Sequence, residues 1–171
     1  MHEHTNQAKL LEVIDWVRQG KRVAYASDAG TPNVNDPGGK LAAAAYETKL
    51  NIETIPGPSA LTAAMAVCGF PMDDFIYRGF VPHKKGRKKF FSEIVLSDFP
   101  VIFLESTHRI NKSLNELSLI LGTNRLIFIG REMTKLHETY YRGTVEEVKI
   151  ELEKTSTKGE FVVIVGPKPK L

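Results

Sequence analysis

Apolar residues first recur at helical spacing. Leu10, Val13, Ile14 and Val17 predict an amphipathic helix over 6–19, with Gly20 placed to supply a left-handed cap. The period then changes. "RVAYAS" at 22–27 is short, apolar and bounded by turn residues, the pattern of a buried strand. "SDAGTPNVNDPGG" at 27–39 holds almost nothing that could fill a core. The Ala-rich run Lys40 to Thr48 predicts a helix, "NIETI" at 51–55 a second strand, and "PGPSA" at 56–60 a turn with Ser59 as a helix cap. "ALTAAMAVC" is apolar on all sides, which predicts a buried helix that ends at Gly69 and Pro71.

"GFPMDDF" at 69–75 is the best candidate boundary, dividing the chain into residues 1–74 and 75–171. Beyond it, strands are predicted at 76–80, 101–105, 125–130, 138–143 and 160–166, with helices near 86–96, 108–121 and 144–155. Alternating strands and helices predict an α/β protein of mostly parallel layers. The stretch 125–143 has two strands and no helix between them, so part of the second sheet is expected to be antiparallel.

Composition narrows the class. A chain of 171 residues with 42% hydrophobic and 25% charged content suits one or two small folded domains. No apolar run approaches the roughly 20 residues that span a bilayer, and "MHEHTNQAK" lacks a secretory pattern. Cys68 is the only cysteine, so no internal disulfide forms, and it suits a small buried helix position. His2, His4, His83 and His137 have no metal-ligand spacing, and no metal is expected. A cytoplasmic setting fits these features. The net charge of +3 implies no particular partner, but its distribution does: "HKKGRKK" at 83–89 carries five Lys or Arg in seven residues. That run reads either as a solvated helix start or as a phosphate-contacting patch.

Candidate chemistry gathers at predicted strand ends. "RVAYAS" leads to Asp28, "VIFL" to Glu105 and "LIFIGR" to Glu132. Ligands of open sheets bind beyond the carboxyl ends of strands, and helix starts at Gly39, Ser59 and Thr107 would bring bare N–H groups to the same rim. Asp28 and Asp36 equally suit plain turn capping, the commoner role for a single loop of this kind. The loop is neither G-x-G-x-x-G nor G-x-x-x-x-G-K-[ST]. Arg109, after Thr107 and His108, suits a carboxylate, a phosphate or a surface turn. Trp16 suits the packing of the first helix better than a stacking platform.

"SDAGTP…DPG", "PGPSA", "GFVPHKKGRKK", "ESTHR" and "REMTKLHET…G" occur in that order. Together they resemble the small-subunit ribosomal RNA methyltransferase I family, within the tetrapyrrole methylase superfamily of S-adenosylmethionine (SAM) enzymes. The resemblance implies two α/β domains with SAM in the cleft between them, and methylation of a cytidine 2′-hydroxyl. It implies that Asp28, Ala29, Gly30, Thr31, Pro32 and Asp36 line the SAM pocket with Ser59, Ala60, Leu104, Ser106 and Arg131. Lys84, Lys85, Arg87, Lys88, Lys89 and Arg109 would face RNA. For the proton transfer that a ribose hydroxyl needs, Glu105 and Glu132 are the candidates, with Lys135 stabilising oxyanion charge.

Two departures from the family pattern stand out. "NVN" at 33–35 replaces an apolar-then-Ser stretch. Family members also begin with a strand, a "PTPIGN"-like loop and an "AEDTR"-like segment, whereas this chain opens at a point already past those elements. The resemblance therefore implies an incomplete first domain, a homodimer formed through residues 1–74, weak SAM binding and little turnover by this chain alone. The alternatives are a methylase of a small tetrapyrrole, which needs no extended phosphate patch, and a non-enzymatic RNA-binding remnant.

Overall fold

The computed structural model describes residues 7–169. His2 and His4, and the first residue of the helix expected at 6–19, lie outside the described residues. The chain forms two compact units, Met1–Ser59 and Ala60–Leu171. The division falls between Ser59 and Ala60, whereas the sequence pattern suggests 69–75, because the helix opening at Ala60 packs with the second unit.

The first unit holds α1 (Gln7–Arg18) and α2 (Gly39–Glu47). Val13, Ile14 and Ala45 are its buried apolar residues. Trp16 is half-buried, with the Lys9 and Lys21 ammonium groups 5.3 and 5.7 Å from its ring centroid. The strands expected at 22–27 and 51–55 do not form. An apolar run becomes a strand only when a neighbouring edge takes up its N–H and C=O groups, and neither run has one among the described residues. Both runs are largely exposed, with Val23 and Ile52 each at 41% and Ile55 at 91%.

The second unit is built on one five-stranded sheet. Its strands are β1 (Ile76–Phe80), β2 (Val101–Ser106), β3 (Ile127–Arg131), β4 (Thr139–Gly143) and β5 (Glu160–Val165), ordered β1-β2-β5-β3-β4. Only β1 and β2 pair in parallel; β5 pairs antiparallel with β2 and β3, and β4 antiparallel with β3. The expectation of mostly parallel layers is thus corrected. Inserting β5 in reverse between β2 and β3 replaces parallel ladders with antiparallel ones, while the carboxyl ends of β1, β2 and β3 still share one edge.

Alternation within the strands feeds two cores. Val101, Phe103, Ile127, Ile129, Val163 and Val165 point to the face covered by α4 (Arg87–Leu96), α5 (Ile110–Ser118) and α6 (Val145–Lys154). There Phe90, Phe91 and Phe103 meet edge to face, with centroids 5.4–6.3 Å apart. Ile102, Phe128, Val162 and Ile164 face the other way, against Met133, Cys68 and α3 (Ala60–Val67). α3 buries only the Ala64 side and leaves Val67 at 46% exposure, so an all-apolar helix is here one-sided. α6 opens on a capping box, in which Thr144 N–H donates to Glu147 Oε2 at 2.8 Å and Glu147 N–H to Thr144 Oγ1 at 3.3 Å.

Candidate functional site

In the first unit the loop 28–38 is ordered by its own bonds. Ser27 Oγ donates to the Ala29 and Gly30 carbonyls at 3.1 and 2.9 Å, and Tyr25 Oη to the Pro37 carbonyl at 2.9 Å. Thr31 Oγ1 reaches the Pro58 carbonyl at 3.3 Å and so ties the loop to the turn before Ser59. Asn33 and Asn35 sit at φ 69° and 59°. Asparagine tolerates the left-handed region, which is the local reason for "NVN". Gly39 packs so tightly on Asn33 that a Cβ there would stand 2.5 Å from Oδ1. Asp28, Ala29, Gly30 and Thr31 are exposed, and Pro32 and Asp36 half-buried. The loop therefore presents carboxylates and bare backbone, groups that can accept from hydroxyl or ammonium donors. Ser59 is half-buried, and the exposed Ala60 opens α3.

In the second unit, register places the ends of β2 and β3 beside the start of β5: Ser106 pairs with Glu160, and Arg131 with Phe161. The turn after β3 is strained. Glu132 and Thr134 lie at φ 49° and 64°, and left-handed backbone is especially costly for a β-branched residue. Glu132 Oε1 accepts from Glu160 N–H at 2.8 Å and from Lys135 Nζ at 3.1 Å. Lys135 Nζ also donates to Glu160 Oε2 at 2.9 Å. The backbone bond from Glu160, with the Lys135 bond after it, lowers the Glu132 pKa. The bond to Glu160 chiefly raises that of Lys135. Gly159 is obligatory here: its φ is 123°, and a Cβ would press within 2.6 Å of Glu132 Cγ.

Three expected site residues, Glu105, Arg87 and Arg131, turn out to be buried, and a fourth, Arg109, is half-buried. The Glu105 side chain has no solvent exposure and accepts from Ser106 N–H (2.8 Å), Arg109 Nη2 (2.9 Å) and Ser113 Oγ (2.6 Å). A carboxylate so enclosed cannot reach a substrate proton. Arg87 is 5% exposed and donates to Glu116 Oε2 at 2.7 Å, Ser113 Oγ at 2.8 Å and the Pro82 carbonyl at 3.2 Å. Arg109 donates to the Val81 carbonyl at 2.7 Å and Ser106 Oγ at 3.2 Å. Arg131 binds the Lys158 and His137 carbonyls at 2.6 and 3.3 Å. Each of these guanidiniums donates to acceptors within the second unit. Thr107 is not a helix start either, since it forms a turn and α5 begins at Ile110. Leu104 and Ser106 remain half-buried at the rim.

Lys84, Lys85, Lys88 and Lys89 stay exposed, grouped around the start of α4. That start carries no acidic residue and no side-chain cap, so the positive end of the helix dipole adds to the lysines. Glu160, Gly159, Ser113 and Glu116 escape the sequence motifs. Lys135 lies in reach of two carboxylates, but the Glu160 partner is 25 positions away and no local spacing reveals it. Among the described residues no His, Cys, Asp and Glu cluster could hold a metal, and no helix is long and apolar enough to cross a membrane.

Comparison with known proteins gives three kinds of match. Residues 1–149 match the family model of tetrapyrrole (corrin/porphyrin) methylases. The chain is 37% identical over 167 residues to ribosomal RNA small subunit methyltransferase I of Thermotoga maritima, covering 98% of this chain and 75% of that protein. It is 38% identical to the Haemophilus influenzae protein of the same name, covering 99% of this chain and 61% of that one. In structure it resembles the methyltransferase CobJ, with a TM-score of 0.67 at 21% identity over 98% of this chain and 74% of that one. It also resembles uroporphyrin-III C-methyltransferase of Thermus thermophilus complexed with S-adenosylhomocysteine, with a TM-score of 0.59 at 18% identity over 94% of this chain and 73% of that one.

Proposed function

Because the chain belongs to the tetrapyrrole methylase family, and within it to the ribosomal RNA small subunit methyltransferase I proteins, we propose that it serves SAM-dependent methylation of small-subunit ribosomal RNA, at a cytidine 2′-hydroxyl, in the cytoplasm. The observation that carries the RNA reading is the group of four exposed lysines, Lys84, Lys85, Lys88 and Lys89. A small macrocycle needs no such surface, whereas a polyphosphate backbone draws its affinity from one.

SAM supplies an electrophilic methyl group when bound. The loop Asp28 to Gly38 is assigned to hold it, with Asp28 and Asp36 accepting from hydroxyl or ammonium groups. Glu132 remains a carboxylate at neutral pH, and the bonds that keep it so make it a weak proton acceptor. Its assigned role is to hold Lys135, whose exposed ammonium stabilises negative charge growing on the attacking oxygen as the hydroxyl proton passes to solvent water. Positioning the nucleophile about 3 Å from the methyl carbon supplies much of the remaining acceleration.

The test is calorimetric titration with SAM, then incubation of small ribosomal subunits with methyl-labelled SAM and mapping of the label. Label on a cytidine ribose is the expected outcome. SAM binding with label transferred only to a uroporphyrinogen-type macrocycle would favour the tetrapyrrole reading. Failure to bind SAM at all would leave an RNA-binding remnant.

A further inference from the structure

The two arginines that the basic motif and the "STHR" motif offer to RNA point inward and converge on one carboxylate. Arg109 Nη2 stands 2.9 Å from Glu105 Oε1, and Arg87 Nη1 stands 3.8 Å from Glu105 Oε2. Ser113 Oγ bridges the pair, accepting from Arg87 Nη2 at 2.8 Å and donating to Glu105 Oε2 at 2.6 Å. Each arginine then reaches the loop after β1. Arg109 takes the Val81 carbonyl at 2.7 Å, Arg87 takes the Pro82 carbonyl at 3.2 Å, and Arg87 N–H takes the Lys84 carbonyl at 3.3 Å. Two carbonyls of the loop are thus held by guanidiniums that share Glu105, and a third by the local backbone turn that leads into α4.

We propose that Glu105 is a positioning residue: as the shared counter-ion of Arg87 and Arg109, it clamps the loop 81–86 so that Lys84, Lys85, Lys88 and Lys89 present a preformed phosphate-binding surface. This inference rests on the RNA reading of those lysines. Exposed lysines on a free loop lose rotamer and backbone freedom on binding, whereas a fastened loop has already lost the backbone part. Among the described residues Glu105 is the only carboxylate that faces both guanidiniums, because Glu116 reaches Arg87 alone. The carboxylate is also on β2 at the sheet edge that carries Ser106, so the loop is fixed relative to the strand ends and not merely to itself.

The experiment uses the full chain with Glu105→Gln, and Leu152→Ala as a control that destabilises the same sheet face away from the loop. Trypsin cleavage within residues 84–89 is followed by mass spectrometry at low conversion. Binding of deproteinised small-subunit ribosomal RNA is measured across a salt series. The expected result for Glu105→Gln is cleavage at least tenfold faster and RNA binding about tenfold weaker, with the parent's salt slope, since the lysines remain. Leu152→Ala should leave both near the parent. If Glu105→Gln behaves like Leu152→Ala in both readouts, the clamp is overturned. Should Glu105→Gln fail to fold, Arg109→Gln carries the test, because it removes the Val81 arm from a side chain already 17% exposed. Replacing the four lysines with alanine separates the two readings. If that protein binds RNA like the parent while Glu105→Gln still frees the loop, the RNA reading falls and the clamp alone stands.

Discussion

Arg87 and Lys88 are neighbours in one basic run, yet their fates are opposite. Lysine keeps its ammonium in water at modest cost, while a guanidinium with several fixed donors can be buried if each donor finds an acceptor. Arg87→Ala should therefore cost about 3 kcal/mol or more in stability, because it strands buried Glu105 and Ser113 partners; chemical denaturation reads this directly. Lys88→Ala should change stability by less than about 0.5 kcal/mol. The charge of the run is legible in sequence, but which of its members turns inward depends on Glu105 and Glu116, whose proximity only the fold creates. Asp28 gives a second prediction at this scale. Exposed and on a loop held by other residues, Asp28→Ala should weaken SAM binding about tenfold or more, the size of a charged hydrogen bond of about 1.5–3 kcal/mol, with an unchanged melting temperature. Glu132 gives a third. Its folded pKa is lowered by the Glu160 N–H and Lys135, so its contribution is complete above the unfolded value of about 4.3 and fades as the pH falls through the lower folded value. Melting curves should accordingly show the gap between the parent and Glu132→Gln as constant above about pH 5 and narrowing below about pH 4.

The elements of the second unit follow closely from hydrophobic period, because most strands and helices there bury a face against their neighbours. All five strands and all three helices expected beyond residue 75 are present, with ends displaced by a few residues. Strand direction was less legible, since alternation reports which face is buried and not which neighbour is hydrogen-bonded. The two apolar runs of the first unit show the converse: "RVAYAS" and "NIETI" have strand composition but no ladder partner among the described residues. Within α4 the basic start predicts a clean separation of effects. Replacing Lys84, Lys85, Lys88 and Lys89 with alanine should flatten the salt dependence of RNA binding by about 0.7–0.9 in log–log slope per lost contact. SAM affinity and folding should be unaffected, and an unchanged slope would mark the lysines as a solvated face.

At the scale of the molecule, stability is unevenly distributed. The second unit owns the sheet and both apolar clusters, while among the described residues the first buries little beyond Val13, Ile14 and Ala45. Native-state hydrogen exchange should find the slowest amides in β2, β3 and β5, and rapid exchange through 21–30 and 51–58. The exposed Val23, Ile52 and Ile55 also motivate our proposal that a second copy covers this unit; sedimentation equilibrium should give a dimer, and a monomer at every concentration would remove it. The place of β5 has a different consequence, which concerns birth rather than equilibrium. It lies between β2 and β3 but comes after every other strand in the chain. Until Glu160–Val165 have left the ribosome, β1–β2 and β3–β4 can pair only as separate two-stranded ribbons, a marginal state with unsealed apolar edges. At about 5–20 residues per second that interval lasts long enough for a nascent-chain chaperone to engage Ile102, Phe103, Ile127 and Ile129. A chain arrested on the ribosome with Gly159 just emerged should be digested throughout 76–159, and the emergence of the next six residues, Glu160–Val165, should make the whole sheet resistant in a single step.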